Sequence, residues 1–109
     1  MLTNKTPDFI ADINYLTTEQ GGRKAPAFTG YFPQVKFSFS KYQGGGKQNF
    51  IDKEIVNPGE EVTAEITLLL ADPFKGSLEI GFKFDVMEGA RIVGKGIIVE
   101  ILNPELLAK

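Results

Sequence analysis

The sequence contains no cysteine, no histidine and no tryptophan. The absence of cysteine excludes disulfide bonds and thiolate chemistry. Without histidine or cysteine, Ser-His and Cys-His catalysis and the usual zinc sites are excluded as well, so that only carboxylate sites for Mg²⁺ or Ca²⁺ are conceivable. We therefore predict that the protein is not an enzyme and holds no metal or cofactor.

Long hydrophobic runs are missing too. No apolar run approaches the roughly 20 residues of a membrane helix, and the N-terminus lacks the apolar core of a signal peptide. A chain of 109 residues fits a single domain. We predict a cytoplasmic protein without membrane association, with a flexible lead-in over 1–7, one domain over 8–102 and a C-terminal tail over 103–109.

Two glycine-rich segments resemble nucleotide-binding motifs, but neither has all the residues that its motif requires. A Walker A loop needs a further glycine and a Ser or Thr around Gly44-Gly45-Gly46-Lys47, but Lys41 and Gln48 stand there. Gly94-Lys95-Gly96 lacks the third glycine of a dinucleotide fingerprint, because that position is Val99. We predict no nucleotide binding, and we interpret Gly44-Gly45-Gly46 as a break after the second strand, within a hairpin loop.

The dominant pattern is an alternation of apolar and polar residues, which is typical of strands with one buried face. Turn residues separate the strands, as in the type II turn predicted at Asn57-Pro58-Gly59-Glu60 and the hairpin turn predicted at 88–91. Asn103 followed by Pro104 predicts one short helical turn. The pattern predicts an all-β sandwich or barrel. The predicted strands are 9–15, 35–39, 48–54, 62–70, 78–86 and 97–101.

Basic and aromatic residues occur together between positions 20 and 51. Residues 20–51 contain five basic residues and no acidic one, although the whole chain has a net charge of −2. The alternation predicts that Phe37 and Phe39 lie in the core, whereas Phe28, Tyr31 and Phe32 are free to line a surface patch. Basic residues interleaved with aromatics also suit nucleic-acid binding, so both partner classes stay open.

Several segments occur in the order and spacing of a known domain. They are 9–17, Glu19-Gln20-Gly21-Gly22-Arg23, Gly30-Tyr31-Phe32-Pro33-Gln34, 57–60, Thr67-Leu68 and 89–96. On these residues the chain resembles the C-terminal β-barrel, domain III, of bacterial elongation factor Tu. The resemblance implies a single six-stranded antiparallel β-barrel over 8–102. In the family this domain packs against a GTPase domain, touches the T-stem of aminoacyl-tRNA and meets the exchange factor.

The resemblance also implies binding residues. Arg23 matches the arginine that approaches the tRNA backbone, Gln34 and Gly96 match neighbours of that surface, and Arg91 matches the arginine of a Gly-Gly-Arg turn. The chain departs from the family at Lys24, where the family has histidine, and at Phe32, where it has arginine. The predicted binding residues are Arg23, Lys24, Tyr31, Phe32, Gln34, Arg91 and Gly96.

Because no GTPase domain precedes these residues in the sequence, we expect a stand-alone, non-catalytic binding module. We favour a protein partner linked to translation or to the partners of elongation factor Tu, bound through 21–34 and 89–96, with a mimic or antagonist of that factor as one version. The alternative is a weak tRNA- or RNA-binding module that uses the basic 20–51 region, through Arg23, Lys24, Lys36 and Lys41.

Overall fold

The computed structural model describes residues 6–108, so most of the lead-in predicted at 1–7 lies outside the described residues. The described residues form eight strands and two short 3₁₀ turns. The strands are β1 Phe9–Tyr15, β2 Ala27–Phe28, β3 Gln34–Phe37, β4 Gln43–Phe50, β5 Ile55–Val56, β6 Glu61–Leu68, β7 Lys83–Glu88 and β8 Arg91–Ile101. The 3₁₀ turns are Asp72–Phe74 and Pro104–Leu106.

Six of these strands close into an antiparallel barrel in the order β1-β6-β4-β3-β7-β8, and β8 returns to pair with β1. The remaining strands, β2 and β5, pair as a separate two-stranded sheet. The predicted all-β fold with a six-stranded antiparallel barrel is therefore confirmed. Closure removes the exposed strand edges that a small open sheet would present to solvent.

The inward residues of the alternating strands fill the barrel. Phe9, Ala11 and Ile13 of β1 are fully buried, and intervening residues face outward. At the centre, the rings of Phe9, Phe37 and Phe84 meet with centroids 5.4 to 6.4 Å apart. Such tilted and edge-to-face ring contacts add to the burial of apolar area that stabilises the fold.

The glycine run was wrongly predicted as a loop, because Gly44, Gly45 and Gly46 lie inside β4. This strand was predicted over 48–54 but begins at Gln43 and ends at Phe50. Neighbouring side chains take the space that β-carbons would need: the Tyr42 ring at Gly44, the Phe32 ring at Gly45 and Val35 at Gly46. Side chains from outside the strand thus fill the space beside its glycines, which local strand propensity does not reveal.

Three predicted strands end earlier or start later than the alternation suggests. The strand predicted over 62–70 ends at Leu68, and Leu70 is 56% exposed. Phe39 was predicted to be in the core but is 52% exposed, because β3 ends at Phe37 and the Phe39 ring lies outside against Phe82. Ile80 was placed in a strand, but β7 starts only at Lys83 and Ile80 is 65% exposed. Gly81, with φ of +93°, interrupts the extended backbone between them.

The predicted turns are confirmed. The Glu60 amide donates to the Asn57 carbonyl at 3.0 Å, and Gly59 has the positive φ, +87°, that the third position of a type II turn requires. In the 88–91 hairpin, Glu88 and Arg91 are paired across β7 and β8. The short turn after Asn103 is present as well, and the Asn103 side chain accepts a hydrogen bond from the Glu105 amide at 3.1 Å.

The segment after 102 reaches back into the barrel. Leu106 is fully buried and belongs to the hydrophobic core. Its carbonyl accepts a hydrogen bond from the Leu78 amide at 2.8 Å, and the Glu105 carbonyl accepts one from the Gly76 amide at 2.9 Å. Residues 103–108 and the connection between β6 and β7 therefore pack together as part of the folded domain.

Candidate binding surface

The loop between β1 and β2 is held by its own hydrogen bonds. The Gly22 amide donates to the Thr17 carbonyl at 2.9 Å, and the Gln20 side chain accepts from the Thr17 amide at 2.8 Å. Thr18 Oγ1 donates to the Arg23 carbonyl at 2.8 Å. These contacts fix the backbone at Arg23, so that its side chain leaves the loop in a defined direction.

The Arg23 guanidinium is engaged within the protein on all of its nitrogens. Nε donates to the Ala25 carbonyl and Nη2 to the Pro26 carbonyl, each at 3.2 Å. Nη1 forms a hydrogen-bonded ion pair with Glu88, and the guanidinium carbon lies 4.6 Å from the centre of the Tyr31 ring. Such stacking of arginine on an aromatic face is favourable in its own right.

Glu88 is the centre of this cluster. Its carboxylate accepts hydrogen bonds from Arg23, from the Tyr31 hydroxyl and, at 3.4 Å, from Arg91. Burial opposes the ionised form, but the hydrogen bonds from Tyr31 and Arg23 outweigh it and hold the pKa of Glu88 below its ordinary value. Burial and the same hydrogen bond raise the pKa of the Tyr31 phenol. The cluster therefore joins the loop, the segment between β2 and β3 and the 88–91 hairpin.

Tyr31 also connects this cluster to the core. Its ring centroid lies 6.3 Å from that of Tyr15, a buried residue of β1. The Tyr15 hydroxyl donates to Gln48 Oε1 at 2.5 Å, and the Gln48 side chain is fully buried in the barrel. Burial is the main reason why the pKa of Tyr15 is raised. The position of Tyr31 is thus set from both sides.

A second set of polar contacts lies on the outside of β3 and β4. Gln34 Oε1 accepts from Gln43 Nε2 at 2.9 Å and from the Gly89 amide at 3.2 Å. Gln43 Nε2 also donates to the Gly89 carbonyl at 2.6 Å. We call Gln34, Gln43 and Gly89 the glutamine surface; it ties the 88–91 hairpin to β3 and β4.

An exposed apolar patch adjoins the glutamine surface. Gly45 is the β4 partner of Gln34. The Phe32 ring and the Leu69 side chain both lie within 3.4 Å of the point where a Gly45 side chain would begin. Phe32 is 48% exposed and Leu69 is 51% exposed. We call Phe32, Gly45 and Leu69 the Phe32 patch.

The structure brings most of the predicted binding residues together. Arg23, Tyr31 and Arg91 meet at Glu88, and Phe32 and Gln34 lie at the two adjoining surfaces. Lys24 is exposed, and within 6–108 it has neither a hydrogen bond nor an ion pair of its side chain. Gly96 faces inward, where the Phe84 ring takes the place of a side chain, so its position is explained by core packing.

Two residues of the candidate binding surface, Glu88 and Gln43, were not predicted from the sequence. Glu88 was visible as the first residue of the hairpin turn, but nothing local indicates that it meets Arg23, 65 positions earlier. Gln43 directly precedes the glycine run that was predicted as a loop. Only the pairing of β3 with β4 places it beside Gln34.

Within the described part of the chain, no group of three or more acidic side chains is arranged to hold a metal ion. None of the helices among residues 6–108 has the length and apolar character to cross a membrane.

Fold and topology place the chain among the small closed antiparallel β-barrel domains. The family model of the elongation factor Tu C-terminal domain matches residues 3–102. The chain therefore belongs to this family, and the resemblance predicted from the sequence is confirmed. The members of this family are translation-factor domains without catalytic function.

Proposed function

We propose that this chain is a non-catalytic binding module that holds a protein partner linked to translation, and that it does so on the Phe32 patch and the glutamine surface. The observation that carries the proposal is an exposed aromatic ring next to an exposed leucine. Family membership supports the link to translation.

The composition of the two surfaces suits a protein. Aromatic anchors surrounded by polar groups are typical of the residues that contribute most to protein interfaces. Phe32 and Leu69 provide the apolar centre, and Gln34 and Gln43 provide hydrogen-bonding groups beside it. No acidic residue occurs between positions 20 and 51, so the neighbouring segment favours a partner with a neutral or acidic rim.

The state of Arg23 argues in the same direction. An arginine that binds a phosphate usually presents its guanidinium fork to the ligand. Here the fork is taken by Glu88 and two carbonyls, and the side chain is only 23% exposed. An RNA phosphate would have to displace a carboxylate, whereas a protein anchored at Phe32 would not.

The test is capture of partners from a lysate of the source cells with the tagged protein and with Phe32→Asp. The matched control is Ile80→Asp, which changes an exposed apolar residue before β7, at the end of that strand remote from its pairing with Gln34. We expect wild type and the control to retain a translation component or a protein that binds the factor, and Phe32→Asp to lose it. Recovery of no such protein, or equal recovery by all three, would contradict the proposal.

Weak RNA binding is the second candidate, and the exposure of Lys24 and Lys41 favours it. Lys36 is less suited, because its ammonium group donates to the Ser40 carbonyl at 2.6 Å and to the Phe37 carbonyl at 3.3 Å. A titration with tRNA at low salt tests this candidate. Loss of binding in Lys24→Ala and Lys41→Ala would support it, and no detectable binding at low salt would exclude it.

A further inference from the structure

The outer face of β3, β7 and β8 carries a group of lysines. Lys36 of β3 and Lys95 of β8 both pair with Asp85, which lies between them on β7. Lys83 lies two residues before Asp85 on β7 and therefore on the same face of the sheet. Together with Ser38, these four side chains line an open groove of about 310 Å³. We call Lys36, Lys83, Asp85 and Lys95 the lysine groove.

The lysine groove is positively charged, although the whole chain has a net charge of −2. Three lysines and one aspartate give the groove a charge of +2. Asp85 forms an ion pair with Lys95 at 2.9 Å, and the Lys95 side chain is still 58% exposed. The Lys36 ammonium group donates to the Phe37 and Ser40 carbonyls, which orient it without neutralising its charge. The groove therefore presents positive charge at fixed positions.

We propose that the lysine groove binds an acidic segment of a protein, with Asp or Glu side chains of that segment against the lysines. A surface of one charge sign steers and orients a partner of the opposite sign. The proposal deepens the proposed function, because it names the chemistry of the partner, and it rests on that function only in taking the partner to be a protein.

The spacing of the lysines fits an extended segment. Lys36 and Lys95 are two strand spacings apart, about 10 Å, and Lys83 is displaced along β7 by about 7 Å. Alternate side chains of an extended segment share one face and are also about 7 Å apart. Acidic residues at alternate positions of such a segment therefore reach these lysines together.

The position of Asp85 favours a peptide over nucleic acid. Asp85 lies between Lys36 and Lys95, at the middle of the row that crosses the three strands. A continuous row of phosphates would place negative charge against this carboxylate, where repulsion is strong. A peptide carries neutral residues between its carboxylates and avoids that repulsion.

The inference is tested by fluorescence anisotropy at low salt with a short labelled peptide in which Glu alternates with Ser. We expect saturable binding of this peptide and none of the equivalent peptide in which Gln replaces Glu. Lys83→Glu and Lys95→Glu should each weaken binding by roughly threefold to tenfold, because an exposed ion pair is replaced by like-charge repulsion. Both lysines are exposed, so the two variants should fold.

Lys47→Glu is the matched control. It makes the same change of charge on β4, where Lys47 pairs with Thr67 of β6, outside the groove. We expect it to change the affinity by less than about twofold, as far as total charge alone acts. A second measurement needs no variant: on addition of the peptide, the amide NMR signals of Lys36, Lys83 and Lys95 in the wild type should shift more than that of Lys47.

No binding of the acidic peptide at low salt would overturn the inference, as would equal weakening by Lys47→Glu. Tighter binding of a single-stranded RNA of the same net charge, weakened by Lys83→Glu, would assign the groove to nucleic acid and overturn it too. Self-association in sedimentation experiments that Lys83→Glu abolishes would do the same, because a second copy would then fill the groove.

Failure of this inference and failure of the proposed function are distinguishable. Phe32 does not line the lysine groove, so Phe32→Asp should bind the acidic peptide as the wild type does. Equal loss of peptide binding in Phe32→Asp and Lys83→Glu would contradict the assignment to the groove. Capture of a protein partner through Phe32 is a separate readout and does not depend on the peptide.

Discussion

Leu106 offers the sharpest test of how the domain is completed, because it lies beyond residue 102 and yet is fully buried. Leu107, the next residue, is 43% exposed. Leu106→Ala and Leu107→Ala therefore make the same chemical change at adjacent positions, one inside the core and one outside it.

The expected magnitude follows from the surroundings of Leu106. Replacing a fully buried leucine by alanine costs about 2–5 kcal/mol, and the cost is higher where the site cannot collapse. The backbone around Leu106 is held by hydrogen bonds from Ser77 and Leu78 at 3.0 and 2.8 Å, which restricts collapse. We therefore expect a loss of about 3 kcal/mol for Leu106→Ala and below about 1 kcal/mol for Leu107→Ala.

The assay is thermal and urea unfolding followed by circular dichroism. With an unfolding entropy of about 2.1 cal/mol/K per residue, a loss of about 3 kcal/mol lowers the Tm by about 10–15 °C. Equal and small shifts of the Tm in the two variants would refute the reasoning, because Leu106 would then contribute no more to stability than the exposed Leu107.

Two further predictions concern stability. The pKa of Glu88 is lower in the folded protein than its ordinary value of 4.5, so its ionised form stabilises the fold above that value, and this contribution is lost as the pH falls through the lower, folded pKa. In urea titrations, the difference in unfolding free energy between wild type and Glu88→Gln should therefore shrink between pH 5 and 3. A constant difference would contradict the assignment. Gly96→Ala should destabilise the folded protein by about 1–3 kcal/mol, because the new β-carbon overlaps the Phe84 ring. The control Glu100→Ala changes an exposed residue on the same strand and should leave the stability nearly unchanged. Equal unfolding midpoints for the two variants would argue against a packing role for Gly96.

The sequence predicted the fold well where the signal is local. Strands β1 and β6 show a clear alternation, and the turns at 57–60 and 88–91 carry residues that their backbone angles require. The prediction for the glycine run was wrong because Phe32, Tyr42 and Val35, which all lie outside β4, fill the space beside its glycines. The residues of the strand itself do not indicate that side chains from outside it fill this space.

The candidate surface was predicted in part for the same reason. The motif around Arg23 and Tyr31 lies in the cluster around Glu88, and Arg91, matched to the family from the other end of the chain, lies there too. The carboxylate that joins them was not recognised as a member, because only barrel closure brings the β7–β8 hairpin to the loop after β1.

By itself, the sequence determined the class of fold, its family and the exclusion of histidine and cysteine chemistry, because periodicity, turn residues and composition are properties of the chain alone. Tertiary structure decided the surroundings of each predicted binding residue. It engages Arg23 with Glu88, turns Gly96 into the core and leaves Phe32 exposed beside Leu69. The physical reason is that the availability of a charge or a ring depends on its neighbours in space, which the register and closure of the strands bring together.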